Sequence, residues 1–294
     1  MTLGITGASG QLGRLTTSFV LETASPADVV LITRQPDALS EATALGAEVR
    51  AGDFDDPEAL VSALAGVDRL LMISTDIIGT RIPQHQAAVR AAEQAGVGHV
   101  IYTSALRPSA DNPAAVAEEH RATEEALTAS GLDWTFLRNG LYTELLLRTA
   151  PQAVASGKLV GNAGPGVTAR VAREDCAAVA AAVLTTSGHA GMTYDVTGPE
   201  LMADADVAEL LSELTGQPVE AVEISDEDLL ARLESNGLPT AAAAAVVSFG
   251  TAIRLGYFSG LTSVVEDLTG RQPRSYRDVL EANLGQIAGT AQRG

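Results

Sequence analysis

The run Gly7-Ala8-Ser9-Gly10-Gln11-Leu12-Gly13 is where the types and spacing of residues first point to chemistry. It lies between a short apolar strand, Leu3 to Thr6, and a helical pattern carried by Leu12, Leu15 and Phe19. Glycines in a strand-to-helix turn leave no Cβ in the way, so backbone N–H groups at the positive end of a helix can approach a pyrophosphate. The spacing is GxxGxxG, one residue longer between the first two glycines than GxGxxG. A dinucleotide is the ligand this arrangement predicts.

The next informative residue is Arg34. A carboxylate at the end of the second strand would accept bonds from both hydroxyls of an adenosine ribose. Here that strand ends Ile32-Thr33-Arg34, and the arginine offers a permanently charged fork to a 2′-phosphate. NADPH is therefore expected over NADH. Asp53, in Gly52-Asp53-Phe54 after the third strand, is placed either to accept from the adenine amino group or to form a turn.

An alcohol-oxidising enzyme on such a cofactor needs a Tyr and a Lys four residues apart on one helix face. The chain has one lysine, Lys158, with Val154 four residues before it, so the pair is absent. On the helix where it would lie, Val116 and His120 take the two places, sharing a face with Leu127. His120 is read either as facing the cofactor or as a partly buried structural histidine. The absence favours some reactions over others. Hydride delivery to an isolated carbonyl creates an alkoxide with a conjugate acid near pKa 16, whereas delivery to a quinone creates a phenolate near pKa 10, a difference of about 8 kcal/mol in proton affinity. Water, Tyr142 or His120 would suffice as acid for the second, and reactions that begin with a strong base are disfavoured.

These residues need a frame. Strand-like runs at Val29 to Thr33, Glu48 to Ala51, Leu70 to Ser74, His99 to Thr103 and Trp134 to Leu137 alternate with helical stretches Ala38 to Leu45, Pro57 to Leu64, Pro83 to Ala95 and Pro113 to Ala129. Pro57, Pro83 and Pro113 mark first helical turns, and Gly46, Gly66, Gly96 and Gly131 follow helix ends. Six βα repeats predict an α/β fold, a Rossmann-like doubly wound parallel sheet with its ligand at the carboxyl ends of the strands. Residues 1–140 form the cofactor domain, with strands returning from 141–200. Residues 141–294 form a smaller mixed or helical lobe that covers the strand ends. In it, 157–166 is a glycine-rich connection, Asp175 to Leu184 and Ala203 to Leu214 are helices, and Tyr194 to Thr197 is a strand. Asp175 is expected to be an N-cap. No repeat is present, and no disordered tract is expected beyond the final few residues.

Composition sets outer limits. With 37 acidic and 19 basic residues the formal net charge is −18, which argues against nucleic acid as a partner. No apolar run approaches the length of a membrane span, and no leader precedes the first strand, so a cytoplasmic chain is expected. The single Cys176 excludes an internal disulfide and reads as a small buried residue. The four histidines lack short metal-ligand spacing, so no metal is expected.

Taken together, Ile5-Thr6-Gly7-Ala8-Ser9-Gly10-Gln11-Leu12-Gly13, Gly52-Asp53-Phe54, Leu71-Met72-Ile73-Ser74, Pro83-Gln84-His85, Tyr102-Thr103-Ser104, Glu119-His120, Thr123-Glu124 and Leu137-Arg138-Asn139-Gly140 are quite specific. Over residues 1 to about 270 the chain resembles the NmrA-like atypical short-chain dehydrogenases, most closely the type 2 NAD(P)H:quinone oxidoreductases. The resemblance implies NADPH bound by Gly7 to Leu12 of the glycine loop, by Arg34, by Ser74, Thr75 and Asp76, and by Asn139, Gly140, Leu141, Tyr142, Thr143 and Glu144; Gly13, Asp53, Phe54 and Thr103 are further candidate cofactor contacts. It implies hydride transfer to a quinone or another activated acceptor, with His120 and Tyr142 as the candidate catalytic side chains and a homodimer as a possible assembly. An NADP(H)-binding redox sensor without turnover is the alternative, as in other NmrA-like proteins. Two departures stand out: Thr75-Asp76 replaces a serine-rich turn, and Leu141 stands where an aromatic residue would stack on the substrate side.

Overall fold

A computed structural model describes residues 1–289 of the chain. The final few residues, expected from the sequence to be disordered, lie outside the described residues from 290 onward. The strands are β1 (Leu3–Thr6), β2 (Val29–Thr33), β3 (Glu48–Ala51), β4 (Arg69–Met72), β5 (His99–Ala105), β6 (Asp133–Asn139), β7 (Lys158–Gly161), β8 (Met192–Val196) and β9 (Glu220–Glu223). The helices of the first half are α1 (Gln11–Thr23), α2 (Ser40–Ala44), α3 (Pro57–Leu64), α4 (Arg81–Ala95) and α5 (Ala117–Ala129). Those of the second are α6 (Ala150–Ser156), α7 (Arg173–Thr185), α8 (Asp204–Thr215), α9 (Asp226–Ser235), α10 (Thr240–Arg254), α11 (Val264–Thr269), α12 (Tyr276–Ala282) and α13 (Leu284–Ile287).

Seven strands form one sheet in the order β3-β2-β1-β4-β5-β6-β8, every pairing parallel. All five residues of β2, Val-Val-Leu-Ile-Thr, are buried, as expected of a strand covered on both faces. Successive side chains of β2 then go to opposite faces. Leu31 joins Ile5, Val20 of α1 and Val179 of α7, while Val30 joins Leu60 of α3, Val89 of α4 and Leu127 of α5. The doubly wound sheet expected from the βα alternation is present.

Three local expectations are corrected. Helix α5 begins at Ala117 and not at Pro113. Asn112 Oδ1 accepts the Ala114 N–H at 3.0 Å and Ala114 O accepts the Ala117 N–H at 2.8 Å, so the chain turns twice before the helix starts. Asp175 is not an N-cap: it is the third residue of α7, and its Oδ2 accepts the Arg274 N–H at 2.8 Å. The capping is done by Glu144, whose carboxylate oxygens accept the Arg173 N–H at 3.0 and 3.1 Å. The 157–166 connection holds a strand, β7, that pairs in parallel with β9 in a small second sheet. Cys176 is buried as expected, and burial pushes its thiol pKa up.

Candidate cofactor and acceptor site

The glycine loop sits at the carboxyl end of β1. Gly7 has φ +61°, a left-handed conformation that favours glycine. A Cβ on Gly13 would run into the Gly7 carbonyl and the Ala8 backbone, so this glycine lets α1 pack directly on the loop. Gly10 differs: an added Cβ would lie 3.2 Å from Gly7 O and meet nothing else within 4 Å. Gly10 is the N-cap of α1 and makes no side-chain cap, which leaves the N–H groups of Gln11, Leu12 and Gly13 without helical acceptors. The first turn carries no acidic residue. These donors, at the positive end of a 13-residue helix, suit a pyrophosphate.

The loop is tied to β2 by the Ala8 N–H donating to Ile32 O at 3.2 Å and by a 2.7 Å bond between Ser9 Oγ and Thr33 Oγ1. That tether brings Arg34 beside the loop. Arg34 is exposed and has no hydrogen-bond or ion-pair partner among the described residues. Arg14, by contrast, spends its guanidinium on Ser9 O and Ala38 O. Asp53 forms a turn, with Oδ1 accepting the Asp55 N–H at 3.2 Å, and Phe54 is half-buried with its ring edge-on to His85, centroids 6.0 Å apart.

On the other side of β1, Thr6 Oγ1 accepts the Ile73 N–H at 3.0 Å and the Ser74 N–H donates to Thr103 Oγ1 at 2.9 Å, so the ends of β1, β4 and β5 are stitched together. Thr75 is held at every polar atom. Its N–H donates to His85 Nε2 at 3.2 Å, its carbonyl accepts Arg81 Nε at 2.6 Å, and its hydroxyl donates to Gln84 Oε1 at 3.0 Å. Asp76 is exposed.

At the end of β6, Gly140 is confined, since a Cβ would lie 3.2 Å from Ala169 O and 3.3 Å from Val196 O. Asn139 Oδ1 and Thr143 Oγ1 are buried with no partner. Orphaned buried polar atoms are costly unless a ligand or water completes them, so both fit a site that a polar ligand fills. Leu141 is half-buried against the cluster of Leu106, Ile253 and Phe258, and its backbone bonds to Val171. Tyr142 is packed into the apolar layer beside Cys176 with the Arg173 guanidinium 4.7 Å from its ring centroid, and burial raises its pKa. Glu144 caps α7, as above.

His120 lies below this edge, 5% exposed. Its Nδ1 is 2.7 Å from the Tyr102 hydroxyl, and Tyr102 Oη is 3.3 Å from His85 Nδ1. Because His85 Nε2 accepts from Thr75, its proton sits on Nδ1, which donates to Thr123 Oγ1 at 2.9 Å and toward Tyr102. Tyr102 therefore donates to His120 Nδ1, which leaves the His120 proton on Nε2. Nε2 has no bond to the described residues. Burial and the Arg81 charge push the His85 pKa down to about 3 and hold His120 well below its ordinary value, so both rings are neutral. His85, Tyr102 and Thr123 stand in the sequence motifs without a role of their own; their meeting across α4, β5 and α5 is a tertiary contact that no local pattern carries. Among the described residues no group of three or more His, Cys, Asp or Glu side chains could hold a metal, and no helix is long and apolar enough to cross a membrane.

A family model described as NAD(P)H-binding matches residues 7–187, which spans the glycine loop and the chain from α1 through β2 to β6 and α7. The chain belongs to this NAD(P)H-binding family. Quinone oxidoreductase 2 of Escherichia coli is 40% identical over 237 residues, 81% of this chain and 82% of the relative. The crystal structure of an NADPH-dependent quinone oxidoreductase from Escherichia coli, complexed with NADPH, superposes with TM-score 0.93 at 35% identity, covering 96% of this chain and 100% of that one. The Citrobacter sp. triphenylmethane reductase complexed with NADP(H) superposes with TM-score 0.89 at 33% identity, covering 96% and 100%. The resemblance read from the motifs and the fold read from the βα alternation both agree with these relatives. The donor row of α1, the free Arg34 and the orphaned Asn139 and Thr143 atoms all lie within the matched residues 7–187.

Proposed function

We propose that the chain is an NADPH-dependent oxidoreductase whose acceptor is a quinone. The observation that carries this is the pairing of free N–H donors at the α1 N-terminus and an unpartnered Arg34 with an acid position that holds only neutral, buried His120, backed by Tyr102. When bound, the reduced nicotinamide supplies a hydride. The chain's own residues do the rest. The N–H groups of Gln11, Leu12 and Gly13 hold the pyrophosphate, and Arg34 meets the 2′-phosphate as a charge-assisted fork. Asn139 Oδ1 and Thr143 Oγ1, both unpaired, would find partners on the bound cofactor. His120 would present Nε2–H as a hydrogen-bond donor to the reduced acceptor's oxygen; a hydroquinone anion with a conjugate acid near pKa 10 is stable enough to take its proton from water, so the neutral imidazole need transfer none, whereas an alkoxide near pKa 16 would have to be protonated as it forms. The residues from Leu141 to 289 that lie outside the seven-stranded sheet and the α7 layer, the β7–β9 sheet and α10 among them, would form the lobe that covers the acceptor.

Steady-state oxidation of NADPH, followed at 340 nm with benzoquinone, with naphthoquinone and without acceptor, tests this reading. Acceptor-dependent oxidation is expected. Tight NADPH binding with no acceptor-dependent oxidation would overturn it in favour of a dinucleotide-sensing protein.

A further inference from the structure

The strand order turns back between β1 and β4, and the helices that follow these neighbouring strands leave to opposite faces, α1 to the layer of Ile5 and Val179, α4 to the layer of Val30 and Leu127. The crevice of a doubly wound sheet opens at such a point, outside the carboxyl ends of the strands. One wall here is the glycine loop. The other is the segment after β4, residues 73–80. Both ends of its tip are fixed: Thr75 by buried His85 and Arg81 and by half-buried Gln84 as described, and Gly79 and Arg81 by their N–H groups, which donate to buried Glu119 Oε1 at 2.8 and 3.3 Å. Glu119 and Arg81 are themselves buried and form an ion pair at 3.5 Å. On this fixed stem stand two adjacent isoleucines, Ile77 at 63% and Ile78 at 36% exposure. Neither belongs to the hydrophobic clusters of the core. An exposed apolar pair on an anchored loop at the mouth of a ligand crevice gains nothing for the fold.

We propose that Ile77 and Ile78 are the apolar wall against which the flat ring of the acceptor packs, and that Arg81, His85 and Glu119 are positioning residues that hold this wall in place. The inference rests on the quinone reading above and adds residues that set which acceptors are preferred. A quinone ring has two apolar faces and polar oxygens only at its rim, so a β-branched pair meets it by surface burial with no polar group left unpaired. The larger the ring system, the more it gains from this wall.

The test is the double variant I77S/I78S, whose exposed positions leave folding intact, alongside I77L/I78L. Binding of 1,4-naphthoquinone to the NADP⁺-loaded protein is measured by equilibrium dialysis, and turnover is followed with naphthoquinone and benzoquinone. For I77S/I78S the naphthoquinone Kd should rise about fivefold or more and its kcat/KM fall about tenfold through KM, with a smaller loss for benzoquinone, while NADPH Kd changes less than about twofold. I77L/I78L should keep naphthoquinone binding. Unchanged naphthoquinone binding in I77S/I78S would overturn the proposal while leaving quinone reduction by the parent protein standing, and so would an equal loss of NADPH affinity, which would make the loop a cofactor element. A parent protein that neither binds nor reduces either quinone would overturn the functional reading, and this wall with it.

Discussion

Arg34 and His85 show how differently single residues announce themselves. Arg34 was legible because its meaning is local: it follows a buried strand, no carboxylate stands in its place, and the structure leaves it exposed without a partner. A charge-assisted bond is worth about 1.5–3 kcal/mol, so NADPH should bind about tenfold more tightly than NADH, and Arg34→Asp should reverse the order. Equal affinities in calorimetry with the parent protein would remove the 2′-phosphate from the argument. His85 was not legible, because its partners Thr75, Tyr102 and Thr123 come from three elements. Its pKa is depressed to about 3 in the folded chain, while in the unfolded chain it protonates near 6.5. The unfolded state thus binds more protons below pH 6.5, and stability present above that pH is lost as pH falls toward 3, by about 1.4 kcal/mol per unit. Imidazole NMR should show His85 neutral at pH 5, and a ring that titrates near 6.5 would contradict the burial. For His120, also held neutral, His120→Ala should slow turnover by no more than about 10²-fold, the low end of general-acid effects, because the product anion needs little help. A loss of about 10⁴ with NADPH affinity unchanged would make His120 an indispensable acid and the acceptor an ordinary carbonyl.

At the scale of elements, periodicity delivered the parallel sheet because its central strands β1, β2, β4 and β5 are buried runs and its helices have one apolar face. It failed where those signals are weak. β7 and β9 are four residues each, β7 with a single buried residue and β9 with none, so neither alternation nor a buried run marks them. Pro113 resembled a helix start, but the Asn112 turn delays the helix to Ala117, and such a side-chain choice between turn and cap is decided by neighbours in space. The glycine loop divides into two kinds of glycine that sequence could not separate. Gly13→Ala should destabilise the fold by about 1–3 kcal/mol, since its Cβ meets backbone that cannot move aside. Gly10→Val should leave the melting temperature nearly unchanged, because Gly10 already has an extended backbone at φ −73° and ψ 172°. Its branch would occupy the space in front of the α1 N–H groups, and NADPH binding should be lost. Calorimetry paired with thermal unfolding separates the two; a Gly10→Val protein that binds NADPH normally would reduce the loop to a turn.

For the whole molecule, the net charge of −18 opposes an anionic cofactor at long range while the site attracts it at short range. Sequence gave the sign of the first effect, but only the fold places Arg34 beside the α1 N-terminus, where the second acts. The two effects respond differently to salt. The Debye length is about 30 Å at 0.01 M and about 8 Å at 0.15 M, so added salt screens repulsion from the distant acidic surface more than contacts made within the cradle. Raising ionic strength over that range should therefore increase the association rate of NADPH, on the order of threefold, while the dissociation rate changes less. Stopped-flow fluorescence of the bound nicotinamide measures both rates. An association rate that falls with salt would mean that the local field of Arg34 and the helix end outweighs the whole acidic surface and steers the cofactor from a distance.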